Sequence, residues 1–512
     1  MKKIIFFVIL IPVTFILSCT EDFEEINTDP SAVILPPAGA LFNPMLQNPL
    51  RNYQRNINLY PDFFAQYWGN IVSGFESPRY EYVDGWIGNM WREFYTQTLA
   101  EANTINRLYG EDPTYVNALA QVDIWMVSEW ARMLQIYGDL PYFGAGEGER
   151  VQYSSEQEIY FDLFERLDSA VAALNASDNT QFSFGENDII FNGDVEKWRR
   201  FANSLRLRLA MRLSNIDPAK AQEEAAAAVS LGVMQSNDDV TRIPLWSEGN
   251  YDYLHIISNI FVNIRVSETF TNYLYNQSGG EDPRAGRWLA YAEGSELADS
   301  GQFTGVANGF DIVPEDAVNF ATMKTAELGG EFSGFAGDGG SVRLYMPVMN
   351  YPEVLFLQAE AALRGWVSGD ANSLYQEGIQ ASMDFVGVPA DEATAYIAAA
   401  PSLSGSNEAQ LKQLITQKYI ANFPNGSETW ADFRRTDYPD ITLPLDGVSG
   451  SSSVAPDTWV KRVRYPDAAH NFESELMPAN QNTIPTNRMD IRLWWDTADT
   501  KTKSDGLMSS NF

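Results

Sequence analysis

The chain has 512 residues, with 35 basic and 68 acidic side chains and a formal net charge of −33 at pH 7. A nucleic-acid binder must neutralise phosphates with clustered Lys and Arg, so this charge balance argues against nucleic acid as a partner. The hydrophobic content of 45%, with 13% aromatic residues, is enough for a packed core in one large domain or two closely packed ones.

The first residues have the pattern of a secretory signal. Lys2 and Lys3 precede an apolar run over 4–17, and Cys19 follows it. The run is shorter than the roughly 20 apolar residues that a membrane-spanning helix needs. Cys19 is the only cysteine, so it forms no internal disulfide, and its place at the expected cleavage point predicts that it carries lipid. The alternative is a signal peptide with an incidental cysteine.

These observations divide the chain into three parts. We predict a lipoprotein signal peptide over 1–18 and an acidic, extended tether over 19–35, where TEDFEEINTDP has little to bury. A single body follows over 36–512. Long loop-rich stretches around 236–350 and 436–490 are expected to form its ligand side, because long loops in compact domains are often functional.

Apolar residues at helical spacing predict helices along the body. Helices over 91–108 and 122–136 form one predicted pair. YPEVLFLQAEAALRGW and NSLYQEGIQASMDFVG form another, joined by a short loop and with Ala359 and Ala381 where the helices would touch. Both pairs are similar to tetratricopeptide hairpins.

Two helix starts carry local signals. Ser155 and Glu158 stand at capping-box spacing before an apolar run. Asp217 precedes Pro218 at the start of DPAKAQEEAAAAVSLG, which predicts a capped helix there.

The sequence lacks the motifs of metal, nucleotide or nucleophilic chemistry. The two histidines, His255 and His470, are far apart, and HExxH, CxxC, GxSxG and phosphate-binding glycine loops are missing. GDGG at 337–340 could hold calcium through oxygen ligands, although most such segments are simple turns. A glycosidase needs two carboxylates at a set separation, which a sequence does not show. Enzymatic activity is therefore possible but unsupported, and we predict no cofactor.

Aromatic residues beside glycines are the more informative feature. Flat rings stack on the apolar faces of sugars, and loops can expose them. The candidates for an aromatic ligand platform lie in a dense stretch over 63–91 and in two later loops: Trp68, Tyr80, Trp86, Trp246, Tyr251 and Trp288. For any single Trp, burial in the core is the competing interpretation.

Several motifs occur in a characteristic order. They are INTDPSAV after Cys19, YGDLPYF at 137–143, NSLRLRLAMRLS at 203–214, YPEVLFLQAEAALRG at 351–365, ETWADFRRTDYP at 428–439, RVRYP at 462–466 and RLWWD at 492–496. Together, over the whole length, they resemble the SusD/RagB family of nutrient-uptake outer-membrane lipoproteins of Bacteroidota.

The resemblance implies a mostly α-helical, SusD-like fold: a tetratricopeptide-like scaffold of helical hairpins with long loop-rich insertions. It also implies a cell-surface protein without catalytic activity, anchored in the outer membrane by lipid at Cys19. Such a protein captures an oligosaccharide or polysaccharide and delivers it to a SusC-like TonB-dependent transporter. Capture of peptides is the alternative within the family, and a surface glycoside hydrolase is the alternative from another class.

Overall fold

The computed structural model describes residues 36–72, 77–148, 151–244, 257, 263–278, 280–291, 295–309, 319–323, 345–450, 453–467 and 487–497. Helices dominate these residues. In chain order they are α1 Ala38–Leu59, α2 Pro61–Phe64, α3 Asp84–Glu93, α4 Leu99–Tyr109, α5 Val116–Tyr137, α6 Glu156–Ala173, α7 Val195–Arg212, α8 Pro218–Leu231, α9 Glu268–Asn276, α10 Ala285–Trp288, α11 Tyr351–Leu363, α12 Ala371–Phe385, α13 Ala390–Ala399, α14 Asn407–Ala421 and α15 Gly426–Thr436. The prediction of a mostly α-helical fold is confirmed.

The strands are short and pair two by two in antiparallel fashion. They are β1 Trp68–Asn70, β2 Leu140–Pro141, β3 Tyr153–Ser154, β4 Thr241–Pro244, β5 Ile264–Val266, β6 Leu289–Tyr291, β7 Ala321–Met323 and β8 Tyr345–Met349. The pairs are β1 with β5, β2 with β3, β4 with β8, and β6 with β7. Trp68 lies opposite Val266 in the first pair, which ties the early aromatic stretch to the loop-rich middle of the chain.

The two predicted helix starts are confirmed. Ser155 Oγ accepts the Glu158 N–H at 3.3 Å, and the Glu158 carboxylate accepts the Ser155 N–H at 2.9 Å. Asp217 accepts the Lys220 N–H at 3.1 Å at the start of α8. The single helix predicted over 91–108 is interrupted, because a π-helical turn over Phe94–Thr98 joins α3 to α4 and buries both of its end residues.

Helical hairpins form the scaffold. Of the two predicted pairs, α11 and α12 pack against each other, and α4 and α5, which cover most of 91–108 and 122–136, are also in contact. The pairs α5 and α6, and α7 and α8, pack in the same way. Ala359 and Ala381 are buried in the pair of α11 and α12. Gly378 permits the closest approach, since a Cβ there would lie 2.9 Å from ring atoms of Phe356. Any larger residue at 378 would push α12 away from α11.

Buried charges join four helices at the centre of this scaffold. The guanidinium of Arg208 on α7 donates to both oxygens of Glu353 on α11, at 2.8 and 2.7 Å. Arg435 on α15 binds Glu360 on α11 in the same bidentate way, at 2.6 and 2.8 Å. Burial alone would raise the pKa of Glu360, but Arg435 and Arg364 hold it below its ordinary value. Both Arg–Glu pairs are therefore ionised, and each buried charge is balanced by a hydrogen-bonded partner of opposite charge.

The network continues through α14 and α15. Lys418 Nζ lies 2.8 Å from Asp432, and Arg212 donates to Glu428 at 2.8 Å. Despite burial, Lys418 and then Arg435 lower the pKa of Asp432 to about 2. This carboxylate therefore contributes stability above its unfolded pKa of about 4, and the contribution is lost as the pH falls toward 2.

In the described part of the chain, every helix is too short or too polar to span a lipid bilayer. The pattern of contacts between residues divides the chain into two units, Met1–Pro37 and Ala38–Phe512. The boundaries predicted from the sequence at residues 18, 19, 35 and 36 remain predictions, because residues 1–35 lie outside the described part.

A carboxylate at the start of α6 lies in an unfavourable position. Glu156 is 1% exposed, its N–H donates to Asp139 at 2.9 Å, and its Oε1 accepts the Trp494 N–H at 2.9 Å. Its Oε2 has no hydrogen-bond partner. Burial and then the charge of Asp139 raise the pKa of Glu156 well above its ordinary value.

Glu156→Gln should therefore stabilise the protein at alkaline pH. A raised pKa in the folded state means that Glu156 favours folding below its unfolded pKa of about 4.3, and that this benefit is lost as the pH rises. The denaturation midpoint of Glu156→Gln should exceed that of the wild type at pH 8, with a smaller difference at pH 5. Glu165→Gln, exposed on the same helix, is the control and should show no pH-dependent difference. A Glu156→Gln effect that is independent of pH would contradict the assignment.

Candidate ligand-binding site

A strained turn positions the segment before α3. A 3₁₀ turn over Ser77–Arg79 leads to Tyr80, which is 2% exposed and has a φ of +67°. A non-glycine residue in this left-handed region costs free energy, so the surroundings must hold it there. The Tyr80 ring packs edge-on against Phe64, with ring centroids 5.6 Å apart. This buried tyrosine therefore fixes the direction in which the chain leaves the core.

Buried hydroxyls hold the following residues. Tyr60 is fully buried, and its hydroxyl oxygen accepts the Val83 N–H at 2.8 Å. Tyr137, at the end of α5, donates to the Ile87 carbonyl at 2.9 Å. These two hydrogen bonds hold both ends of the segment 83–87 against the core. They thereby fix the position of the side chains on this segment.

Four side chains gather at this position, and we call them the Tyr82 cluster: Tyr82, Asp84, Arg464 and Asp467. The Tyr82 hydroxyl donates to Asp84 Oδ1 at 2.8 Å, and the same oxygen accepts the Asp467 N–H at 2.8 Å. The Arg464 guanidinium lies over the Tyr82 ring, 4.6 Å from its centroid, and also pairs with Asp467. Trp86 is half-buried in the first turn of α3. Two distant parts of the chain therefore meet at one site.

The cluster offers a ring, donors and acceptors together. Burial, followed by Tyr137 and Asp84, raises the pKa of Tyr82, so its hydroxyl stays protonated and donates. Arg464 Nε is buried and has no hydrogen-bond acceptor. An uncharged, hydroxyl-rich ligand could accept hydrogen bonds from the Arg464 guanidinium and donate hydrogen bonds to the carboxylates of Asp84 and Asp467. Among the described residues, no group of three or more His, Cys, Asp or Glu side chains could hold a metal.

Three of the predicted platform residues lie in the core. Trp68, Tyr80 and Trp288 are 0%, 2% and 1% exposed. Trp68 and Trp288 both pack against Phe423, with ring centroids 5.5 and 5.3 Å away. The expectation that these rings face a ligand is corrected: Gly69 lies within β1 and Gly286 within α10, and the rings pack into the core. The competing core interpretation applies to all three.

The other predicted residues have different outcomes. Trp86 is half-buried two residues after Asp84, and its role in ligand binding remains a prediction. Trp246, Tyr251 and Cys19 lie outside the described residues, as does the GDGG segment at 337–340.

The sequence interpretation missed Asp84, Arg464 and Asp467. Two signals could have found them. RVRYP at 462–466 is one of the ordered motifs and contains Arg464. Asp84 lies two residues before Trp86 in the same aromatic stretch, so a charged partner for these rings was present in both segments.

A second aromatic group lies on the loop-rich part of the chain. Tyr291 and Phe303 pack with ring centroids 5.4 Å apart, and both are half-buried. The Tyr275 hydroxyl accepts the Phe303 N–H at 2.6 Å and donates to Glu281 at 2.9 Å. These hydroxyls are already used within the fold, so this group is a smaller candidate than the Tyr82 cluster.

Tyr60→Phe should weaken the attachment of the Tyr82 cluster to the core. The change removes the acceptor of the Val83 N–H, and a buried unpaired N–H costs about 1–3 kcal/mol. We expect a lower denaturation midpoint together with weaker binding of any ligand held by the Tyr82 cluster. Tyr438→Phe is the matched control, since its hydroxyl donates to Glu408 at 2.7 Å, outside the cluster. The control should change stability without changing affinity, and equal losses of affinity in both variants would contradict the positioning role.

Helical hairpins thus form the scaffold, and the Tyr82 cluster of one ring and several charges lies where two distant segments of the chain meet. Comparison with known proteins gives the family. SusD-like_2, described as "Starch-binding associating with outer membrane", matches residues 30–466. The chain belongs to this SusD-like family, which associates with the outer membrane. No curated protein matches the chain.

Solved structures agree with this assignment. A chitin-binding SusD homologue from Flavobacterium johnsoniae is 29% identical with a TM-score of 0.75, and the match covers 90% of this chain and 98% of the other. A second chitin-binding protein is 28% identical with a TM-score of 0.76, over 90% and 100% of the two chains. A SusD homologue from Parabacteroides distasonis, 24% identical over 90% and 98%, has a TM-score of 0.77 and shows the same fold.

Proposed function

We propose that this protein is a non-catalytic surface lipoprotein that binds oligosaccharide or polysaccharide and delivers it to a SusC-like TonB-dependent transporter. The observation that carries the proposal is the similarity over nearly the whole chain to the chitin-binding SusD homologue, at 29% identity. Chitin fragments are therefore the first ligands to test.

The Tyr82 cluster supports glycan binding. Tyr82 supplies apolar ring surface, Arg464 supplies a donor, and Asp84 and Asp467 supply acceptors. Trp86, two residues after Asp84, is the proposed second ring. Rings with a few fixed polar groups suit sugars, which have an apolar face and hydroxyls at the edge. A single such site is expected to bind with micromolar or weaker affinity, near −8 kcal/mol or less favourable. Simultaneous contact with the transporter would raise the effective affinity.

The membrane anchor and the transporter partner are further parts of the proposal. Lipid at Cys19 would hold the mature chain at the outer membrane, with 19–35 as the acidic tether and 36–512 as the body. A Cys19→Ala variant should leave the membrane fraction, whereas the wild type should remain in it. A wild-type chain that is equally soluble after cell lysis would contradict the anchor.

Affinity gel electrophoresis against a panel of polysaccharides tests the ligand class. Soluble chitin derivatives or another glycan should retard the purified protein in the gel. No retardation by any glycan, together with binding to peptides, would replace the proposal with peptide capture. Release of reducing ends during incubation would show a hydrolase instead.

A further inference from the structure

A cavity of about 240 Å³ lies between α4, α5, α6 and the segment 142–147. It shares no residue with the Tyr82 cluster. Leu99, Val122 and Met126 supply apolar lining. Phe143, the last residue of the YGDLPYF motif, is 53% exposed beside the cavity and is the most exposed of the described aromatic residues.

The polar side of the cavity is built as a connected chain of hydrogen bonds. Arg166 Nε donates to Asp123 Oδ1 at 2.9 Å, and its Nη1 donates to the Tyr142 hydroxyl at 2.6 Å. Tyr142 in turn donates to Asp162 Oδ2. Burial raises the pKa of Tyr142 above its ordinary value, so the phenol remains a donor. The guanidinium and the phenol are therefore committed to groups of the protein itself.

This arrangement leaves a surplus of acceptors. Asp123, Asp162 and Glu147 line the cavity with Arg166, which gives a formal charge of −2. Glu147 is exposed and lines the cavity, and the contacts given above use only one oxygen of Asp162. The side-chain oxygens of Asn103 and Asn106 add neutral acceptors at the wall. Such a site requires a ligand that donates hydrogen bonds and carries positive charge.

We propose that this cavity binds an amino sugar with a free ammonium group. The ammonium would face Glu147 and Asp162, the hydroxyls would face the asparagine amides, and the Phe143 ring would cover the apolar face of the sugar. The volume is below the roughly 300 Å³ at which sites for drug-sized ligands begin, which suits a single sugar unit. The exposed ring and the amides favour a sugar over a bare alkylammonium chain.

Titration of the purified protein with glucosamine, followed by the NMR signals of the ligand, tests the site. Glucose, N-acetylglucosamine and n-butylammonium are titrated in parallel. We expect glucosamine to bind most tightly, because acetylation removes the charge and n-butylammonium lacks the ring. Glu147→Gln should weaken glucosamine binding by about tenfold, because the charged contact is lost. Phe143→Ala should also weaken it, because the contact with the ring is lost. Glu165→Gln, exposed on α6 and outside the cavity lining, should bind as the wild type does.

The other outcomes each overturn the proposal in a defined way. Equal binding of glucose would remove the requirement for charge, and equal binding of n-butylammonium would point to a partner's lysine side chain instead. If none of the four compounds binds, the proposal of an amino-sugar site is wrong. Trp86→Ala should leave glucosamine binding unchanged, and a loss in that variant would place the sugar at the Tyr82 cluster. The result is therefore independent of whether the Tyr82 cluster binds chitin fragments.

Discussion

Arg208→Met should lower the free energy of unfolding by about 3–5 kcal/mol, because it removes one partner from a buried ion pair. Glu353 is fully buried and would lose both of its short hydrogen bonds from the guanidinium. Lys418 Nζ lies 3.9 Å from Glu353 and compensates only in part. Urea denaturation followed by tryptophan fluorescence measures the effect.

Two further variants make this prediction specific. Arg199→Met on the same helix breaks a pair with Glu196 in which the side chains are 30% and 45% exposed, and such pairs contribute about 1 kcal/mol or less. The double variant Arg208→Met, Glu353→Met should be less destabilised than Arg208→Met alone, since it leaves no unpaired charge at this position. A loss for Arg208→Met no larger than for Arg199→Met would contradict the role of the network.

Trp86→Ala should weaken glycan binding at least tenfold, equivalent to about 1.4 kcal/mol. The change removes a half-buried ring next in sequence to the Tyr82 cluster and leaves the hydrogen bonds between Tyr82, Asp84 and Asp467 in place. Titration calorimetry with the glycan that retards the wild type most strongly gives the two affinities.

The control for this variant is another half-buried tryptophan. Trp366 lies after α11, with the Arg364 guanidinium 5.3 Å from its ring centroid, and it belongs to neither proposed site. Trp366→Ala should lose a similar ring contact with the core and retain glycan affinity. If both variants weaken binding equally, loss of stability explains the effect. If neither does, Trp86 is not part of the binding surface.

The ordered motifs predicted the fold because they carry its internal contacts. Arg208 lies in NSLRLRLAMRLS, Glu353 and Glu360 in YPEVLFLQAEAALRG, and Arg435 in ETWADFRRTDYP, and these residues meet in the buried network. The helical spacing and capping signals predicted the elements, but the pairing of charges across α7, α11 and α15 was not visible, because it depends on tertiary packing.

The candidate ligand-binding site was less predictable than the fold, because it also depends on tertiary packing. A glycine beside a tryptophan indicates a turn, yet it does not tell whether the ring points outward or into the core. Trp68 and Trp288 point inward onto Phe423, whereas Trp86 is half-buried beside Asp84. Arg464 lies 382 residues after Tyr82 in the sequence, so only the folded chain brings its guanidinium over that ring. Distant contacts of this kind decide the chemistry of a surface cluster.

A crystal structure of the protein with a bound chitin oligosaccharide tests the proposed function most directly. The proposal predicts a sugar ring against Trp86 or Tyr82, with its hydroxyls in hydrogen bonds to Arg464, Asp84 or Asp467. A saturating oligosaccharide that binds elsewhere, with the Tyr82 cluster unoccupied, would contradict the assignment of the ligand-binding site.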